Sequence, residues 1–351
     1  LPLWVADMDF PSPPAVVAAL RERIAHGVFG YTLAPESLVE AVLSHLEHHY
    51  GWRIEPGWLV WLPGLVSGLN AVCRAVGEAG DEVVTLTPIY PPFMSAPELM
   101  GRRTVTVPLR QHGGRWTMDV EALDRAISAT TKLLLLCNPH NPVGRVWNRE
   151  ELTAVAAVAE RHDLIVCSDE IHADLILDPD RHHLPLAMLG PEIGCRTITL
   201  QAPSKTFNIP GLGCSFAVVA DPGLRRRLRR AMDGIVPHVN LMGYVAAEAA
   251  YRHGEPWRRA LIDYLRGNRE LVKRTITEIP GLHMGPVEAT YLAWIDVRGR
   301  GIQYPQRFFE KAGVGLSGGR AFGLPGFVRL NFGCPRSLLA EALRRMHTAL
   351  G

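Results

Sequence analysis

The chain has no apolar stretch near the roughly 18 residues that a membrane-spanning helix needs. Its apolar runs stop at lengths such as Ala15–Leu20 and Ala154–Ala159. It has almost no excess charge, since 37 Lys and Arg against 35 Asp and Glu give a formal +2. A nucleic-acid binder concentrates basic residues on one face, and this balance carries no such signal. The six cysteines, Cys73, Cys137, Cys167, Cys195, Cys214 and Cys334, form no C-x-x-C pair. Cys137, Cys167 and Cys214 lie in apolar runs, where a thiol packs as a small hydrophobe. Unpaired structural thiols are therefore expected rather than disulfides or a metal site, and a cytoplasmic location with them. There are no internal repeats and no low-complexity segments. The chain opens Leu1-Pro2-Leu3 with neither an initiator methionine nor a signal-peptide pattern, so a short native N-terminal stretch is expected to be missing from it.

What is present is a globular mixture: 351 residues, 47% hydrophobic and 21% charged, enough for two domains. Short apolar runs alternate with longer amphipathic ones between about residues 58 and 220. The spacing predicts strands at Leu59–Leu62, Val83–Leu86, Thr104–Val107, Lys132–Cys137, Leu164–Ser168, Thr197–Leu200 and Cys214–Val219. Helices are expected between them at Val66–Val76, Pro92–Met100, Val120–Ser128 and Arg149–His162. Several strands are apolar almost throughout, as strands buried on both faces must be. The fold class that follows is α/β, a large, mostly parallel sheet with helices on both sides. After Asp221 come helices at Gly223–Met232, Leu241–Arg252 and Glu255–Ile279, strands near Tyr291–Val297 and Phe327–Asn331, and a closing helix Ser337–Leu350. This reads as a smaller α+β region, with the N-terminal stretch through Phe10 packed against it. The expected division is residues 35–255 for the large domain, with 1–34 and 256–351 forming the small one.

In a parallel sheet, chemistry gathers at the C-terminal ends of the strands. Asn141, Asp169 and Lys205 each fall just past such an end, 28 and 36 residues apart, about one strand-helix-strand crossover each. Alone, each would be a turn or surface feature. Together, an amine, a carboxylate and an amide could hold a heteroaromatic cofactor that bears an aldehyde. The lysine would form the imine, the carboxylate would keep the ring nitrogen protonated, and the asparagine would hydrogen-bond the ring hydroxyl. Trp61–Gly68 is a strand, a glycine turn and a helix start, whose free N–H groups could hold a phosphate. Tyr90, after the next strand, offers an aromatic face; a plain turn and a core tyrosine are the bland alternatives for these two segments.

Further segments carry a resemblance: Trp4-Val5-Ala6-Asp7-Met8-Asp9-Phe10, Gly30-Tyr31-Thr32, Pro88–Phe93, Asn138-Pro139-His140-Asn141-Pro142-Val143-Gly144, Ser168-Asp169-Glu170-Ile171-His172, Ser204-Lys205-Thr206-Phe207 and Arg329-Leu330-Asn331. With these the chain resembles the fold-type I pyridoxal-phosphate enzymes, whose fold is that of aspartate aminotransferase. Within them it resembles the MalY/PatB family of cystathionine β-lyases. The resemblance implies pyridoxal 5′-phosphate as cofactor, with Lys205 as the Schiff-base lysine and base. It implies Asp169 at the pyridinium nitrogen, Asn141 and His172 near the ring hydroxyl, and Tyr90 stacked on the ring. Leu65 and Val66 amides and the Ser204 hydroxyl would hold the phosphate, joined by Tyr31 from a neighbouring subunit in a homodimer with shared sites. Arg329, with Asn141, would bind the substrate α-carboxylate. The implied activity is carbon–sulfur β-lyase action on cystathionine or another S-substituted L-cysteine, giving a thiol, pyruvate and ammonia. An aminotransferase, a decarboxylating deaminase and a cofactor-holding regulatory protein remain alternatives. One departure stands out: many aminotransferases have a phosphate-binding Arg eight residues after the lysine, and here that position is Gly213.

Three other features have simpler structural readings. His45, His48 and His49 have helical metal-binding spacing but no evident carboxylate on their face, so no metal is expected. Arg225–Arg230 reads as a solvated helix face. Gly315–Arg320 reads as a mobile loop near the substrate rather than a nucleotide loop.

Overall fold

A computed structural model describes all 351 residues. The strands in chain order are β1 (Leu59–Leu62), β2 (Glu82–Thr87), β3 (Arg103–Pro108), β4 (Arg110–His112), β5 (Arg115–Thr117), β6 (Thr131–Cys137) and β7 (Ile165–Asp169). They continue with β8 (Thr197–Gln201), β9 (Ser215–Val218), β10 (His283–Met284), β11 (Leu292–Asp296), β12 (Ser317–Gly318) and β13 (Phe327–Asn331). Seven of them form one sheet in the order β1-β9-β8-β7-β6-β2-β3. Neighbours from β8 through β7, β6 and β2 to β3 run parallel, and β9 is antiparallel to both β8 and β1.

Helices on both faces explain the apolar strands. Along β6, Leu133 and Leu135 enter a core with Leu69, Val72 and Phe93, whereas Leu134 and Leu136 enter another with Trp147, Val155 and Leu164. Alternate side chains point to opposite faces, so a run of four leucines is what two covered faces require. The helix Arg149–Arg161 begins with a capping box in which Asn148 and Glu151 satisfy each other's backbone N–H. A second sheet, β10-β11-β13-β12, is antiparallel and packs on the helices Glu255–Glu278 and Arg336–Leu350 through a separate core.

Residues 1–9 run along this second sheet: Leu3 N–H donates to Gly315 O, and Asn331 N–H donates to Leu3 O, both at 2.9 Å. The helix Pro14–His26, which no periodicity announced, packs instead on the helix Leu241–His253. Val16 is its only fully buried residue, too little to leave an amphipathic trace. The hairpin β4–β5 was likewise not expected, because Arg110–His112 is exposed throughout and its pairing rests on the Gly113-Gly114 turn, both at positive φ. Gly315–Arg320 is not the loop expected from sequence. Ser317 and Gly318 pair with Arg329 and Val328, and a 3₁₀ turn follows from Gly319 to Phe322.

The loop after β6 is fastened from the second sheet's side. Buried Arg145 donates from Nε to Glu288 at 3.0 Å and from Nη2 to Glu151, while Glu288 also accepts the Val146 N–H at 2.9 Å. Gly144 has φ +70°, and a Cβ there would meet Val287 Cγ1 at 3.0 Å. Only glycine meets both demands.

Candidate active site

The C-terminal ends of β6, β7 and β8 open into a cavity of about 630 Å³, within the range of sites for small ligands. Asn141, Asp169, Lys205 and Arg329 all line it, and so do His172 and Tyr90. Leu65, Val66 and Ser204 line it as well. Arg329 comes from β13 of the second sheet, so the cavity lies where the two sheets' layers meet. Tyr31 is not in this cavity. It is fully exposed, in a separate depression between residues 29–33 and 237–242.

Asp169 ends β7, is 5% exposed and accepts a single side-chain hydrogen bond, from the Ile171 N–H at 3.1 Å. Burial pushes its pKa up to about 7, and Glu170 next to it adds to the effect. A buried carboxylate so poorly paired favours a partner that carries a proton. His172 is buried with no partner at Nδ1, and burial lowers its pKa to about 3, so it is a neutral imidazole. Lys205 has its pKa lowered by burial and by the Arg329 charge; its ammonium donates to Ala6 O.

Arg329 is 4% exposed; Nη1 donates to Asn141 Oδ1 at 3.1 Å and Nη2 to Trp4 O at 2.8 Å, while Nε has no partner. Burial lowers its pKa to about 10, which leaves it charged at neutral pH. The guanidinium lies over the Phe322 ring at 4.9 Å. Asn141 is thereby divided between two tasks: its Oδ1 braces Arg329, and its amide NH₂ remains to donate into the cavity.

The helix Leu65–Ala75, whose first residues line the cavity, starts after Gly64 with no side-chain cap, so its first N–H groups are open to an acceptor. Gly213, where an arginine would stand in many aminotransferases, has φ +60° and a position 3.0 Å from Pro63 O that a Cβ would contact. An anion at this helix start is therefore met by backbone dipoles and hydroxyls. The arrangement suits a flat heteroaromatic group with an aldehyde near Lys205, a ring nitrogen near Asp169 and an anion at the helix start.

Sequence reasoning marked Trp4–Phe10 and Arg329–Asn331 as segments of the resemblance, but it gave no place in the site to the wall formed by Trp4, Val5 and Ala6 or to Tyr291 and Asn331, which hold that wall. One signal was available. Arg329 and Asn331 are two apart on a strand and therefore share a face. The histidine triplet also resolves: His45 Nε2 donates to Asp174 at 3.1 Å, and Tyr50 and Thr206 donate to the same carboxylate. Burial lowers the neighbouring His49 to about 4.

The sequence pattern of the class I and II aminotransferases matches residues 1–346. Among curated proteins, the cystathionine beta-lyase PatB of Bacillus subtilis is 38% identical over 362 residues, covering 100% of this chain and 92% of that protein. Among solved structures, OvoB superposes with a TM-score of 0.98 at 50% identity, covering 100% of this chain and 92% of that one. Cystalysin from Treponema denticola, a structure that contains pyridoxal 5′-phosphate, gives 0.96 at 33% identity over 100% of this chain and 91% of that one.

Proposed function

The chain belongs to the class I and II aminotransferase family, and from that premise we propose that it is a pyridoxal-phosphate carbon–sulfur β-lyase acting on cystathionine or another S-substituted L-cysteine. The observation that carries the reading is the convergence in one cavity of Lys205, Asp169, Asn141 and Arg329. Relatives named for this reaction, PatB among them, support it over the full chain. The cavity fits the cofactor on its own chemistry. It supplies an underpaired buried carboxylate, an amine of lowered pKa, an unpartnered imidazole and an uncapped helix start.

Lys205 would hold the cofactor covalently, Asp169 at its ring nitrogen, Asn141 and His172 near its hydroxyl, and Tyr90 against its ring. Leu65 and Val66 N–H groups and the Ser204 hydroxyl would take its phosphate. When bound, the cofactor supplies an electron sink conjugated to the substrate's Cα. The residues do the rest. Arg329 holds the α-carboxylate and so fixes which substituent of Cα faces Lys205. The Lys205 amine takes the Cα proton: the C–H bond breaks and an N–H bond forms. As a Cα–Cβ double bond forms, the Cβ–S pair leaves on sulfur, which ends as a thiol. One water is consumed overall, giving thiol, pyruvate and ammonium. The Trp4–Ala6 wall limits how much bulk water reaches this step.

We take residues 35–255 as the cofactor-holding domain and 1–34 with 256–351 as the second, with the helix Pro14–His26 of the latter packed across the boundary on the helix Leu241–His253. No helix is long and apolar enough to cross a membrane. Five of the six thiols are buried and all are unpaired, which supports a reducing, cytoplasmic setting. A homodimer is supported by the exposed Ile24, Val28, Phe29, Tyr31, Leu33 and Ile235, an unusual set for a monomer's surface. Tyr31 would then complete the partner's site. Lys205→Ala and Tyr31→Ala subunits, each inactive alone, should regain activity when mixed, because one site of each hybrid carries neither lesion. No recovery despite proven subunit exchange would mean that each site is built from one chain.

The function itself is tested with L-cystathionine and a panel of S-substituted cysteines. The expected result is thiol and pyruvate in equal amounts, with the cofactor's absorbance staying that of the aldehyde form. A stoichiometric shift to the amine form with no free thiol, across the panel, would replace the lyase by a transaminase.

A further inference from the structure

The segment Leu3–Phe10 forms no regular strand and bends at Val5-Ala6 and Asp9-Phe10; it is held chiefly by side-chain donors, with backbone bonds to Gly315, Asn331 and Gly333 only at Leu3 and Asp9. Seven of its eight carbonyls accept hydrogen bonds: all but that of Asp9. Asn331 Nδ2 brackets the segment by donating to Val5 O at 2.5 Å and Asp7 O at 2.6 Å, while its own Oδ1 is fixed by the Gly333 N–H at 2.8 Å. Asn208, three residues beyond Lys205, does the same further along. Its Nδ2 donates to Met8 O and Phe10 O, both at 2.7 Å, and its Oδ1 accepts the Met8 N–H. Inside the Asn331 bracket lies Ala6, whose carbonyl accepts from the Tyr291 hydroxyl at 2.9 Å and from Lys205 Nζ.

A carbonyl oxygen has two lone pairs, and both are used here. Tyr291 is fully buried, and burial raises its pKa, so its hydroxyl remains a donor. The Ala6 oxygen is therefore fixed by Tyr291 from one side, and by Asn331 through the residues that flank it. A neutral lysine amine has two N–H bonds and one lone pair; seating one N–H on a fixed acceptor restricts where the lone pair points. We propose that Tyr291 and Asn331 are positioning residues for the lyase reaction, holding the Ala6 carbonyl as the seat that aims the Lys205 amine at the substrate's Cα proton and then steadies the ammonium formed. The inference rests on the assignment of Lys205 as base. It gives the N-terminal strap a part in proton transfer beyond that of a wall. A shift of even about 1 Å in a reacting group costs on the order of a hundredfold, so the strap's precision matters to rate.

Tyr291→Phe removes one oxygen and leaves the buried ring, and Asn331→Ala removes the bracket. In Tyr291→Phe, cofactor content and KM for an S-substituted cysteine should be nearly unchanged, while kcat falls between about ten- and a hundredfold. The primary isotope effect with α-deuterated substrate should rise, because proton transfer becomes more fully rate-limiting. Hydrogen exchange read by mass spectrometry should show faster exchange in peptides spanning residues 3–9, in the apoprotein as well as in the loaded enzyme. Should Asn331→Ala fail to fold, Tyr291→Phe decides alone. A kcat and an isotope effect like the wild type's would overturn the proposal, as would a loss of activity that only follows loss of cofactor. Lys205→Ala, supplied with cofactor, separates the two failures. Undiminished α-proton exchange there would remove the lysine from its role as base and the proposed mechanism with it.

Discussion

Asp169→Asn will yield an apoprotein harder to unfold at pH 8 than the wild type, and an enzyme with most of its turnover gone. The substitution keeps the side chain's shape and its acceptor for the Ile171 N–H, so what changes is charge. Asp169 is buried, and its pKa is raised to about 7 from an ordinary carboxylate value near 4. Between those two pH values the folded apoprotein keeps a proton that the unfolded chain has released, so wild-type stability falls as pH rises. At about pH 4 and below, the two proteins should unfold alike. The variant's advantage should grow through the window and level off above about pH 7, at no more than about 4 kcal/mol. Urea titrations of both apoproteins at pH 4, 6 and 8 would read it. Equal midpoints at pH 8 would mean that burial costs this carboxylate nothing. Turnover moves the other way. A carboxylate at this place would keep a proton on the ring nitrogen, and a neutral amide would not. Loss of one such electrostatic partner costs roughly 10²–10³ in kcat, and α-proton exchange should slow with it. The residue that serves the chemistry is thus one that the apoprotein folds in spite of.

Arg329→Leu should have the other large effect, confined to substrates that bear an α-carboxylate. The guanidinium is 4% exposed, with Asn141 on Nη1, the Trp4 carbonyl on Nη2 and nothing on Nε. The edge formed by Nε and Nη2 is the one left for a two-pronged contact, once the Trp4 carbonyl yields its place. Without it, a bound carboxylate would be buried unpaired, a cost of about 2–5 kcal/mol. That corresponds to a fall in kcat/KM of roughly 30- to 5,000-fold, with cofactor content unchanged. An S-substituted cysteamine, which lacks the carboxylate, supplies the control: wild type should process it poorly, and the variant no worse. An equal fall for both substrates would give Arg329 a structural role only, bracing Asn141 and Trp4.

Much of the architecture was legible because burial on both faces of a parallel sheet leaves long apolar runs. Leu133–Leu136 is one such run, split between two cores. The elements that escaped reading were those whose stability comes from elsewhere. The helix Pro14–His26 buries one residue fully, and β4–β5 is polar and turns on two glycines. Gly315–Arg320 looked like a free loop because its order comes from pairing with β13, a relation that composition cannot express. The histidines at 45, 48 and 49 have metal-binding spacing without a carboxylate nearby in sequence, so no metal was expected; the carboxylate that holds His45 lies 129 residues away.

The sequence by itself determined the chemistry's actors. Asn141, Asp169 and Lys205 follow apolar strands in a pattern that local periodicity reveals, and parallel strands bring their C-terminal ends to one edge. Only the tertiary structure decided how those actors are tuned. Asp169 titrates near 7 because the fold shuts water out and offers it a single N–H. Asn141 is divided between Arg329 and the cavity because a second sheet delivers the guanidinium 188 residues later in the chain. Lys205 faces the Ala6 carbonyl because Asn331 and Tyr291 clamp a strap from the far end of the sequence. Periodicity is a local property of the chain. Desolvation and the pairing of distant donors and acceptors arise only when remote segments close on one another and exclude water.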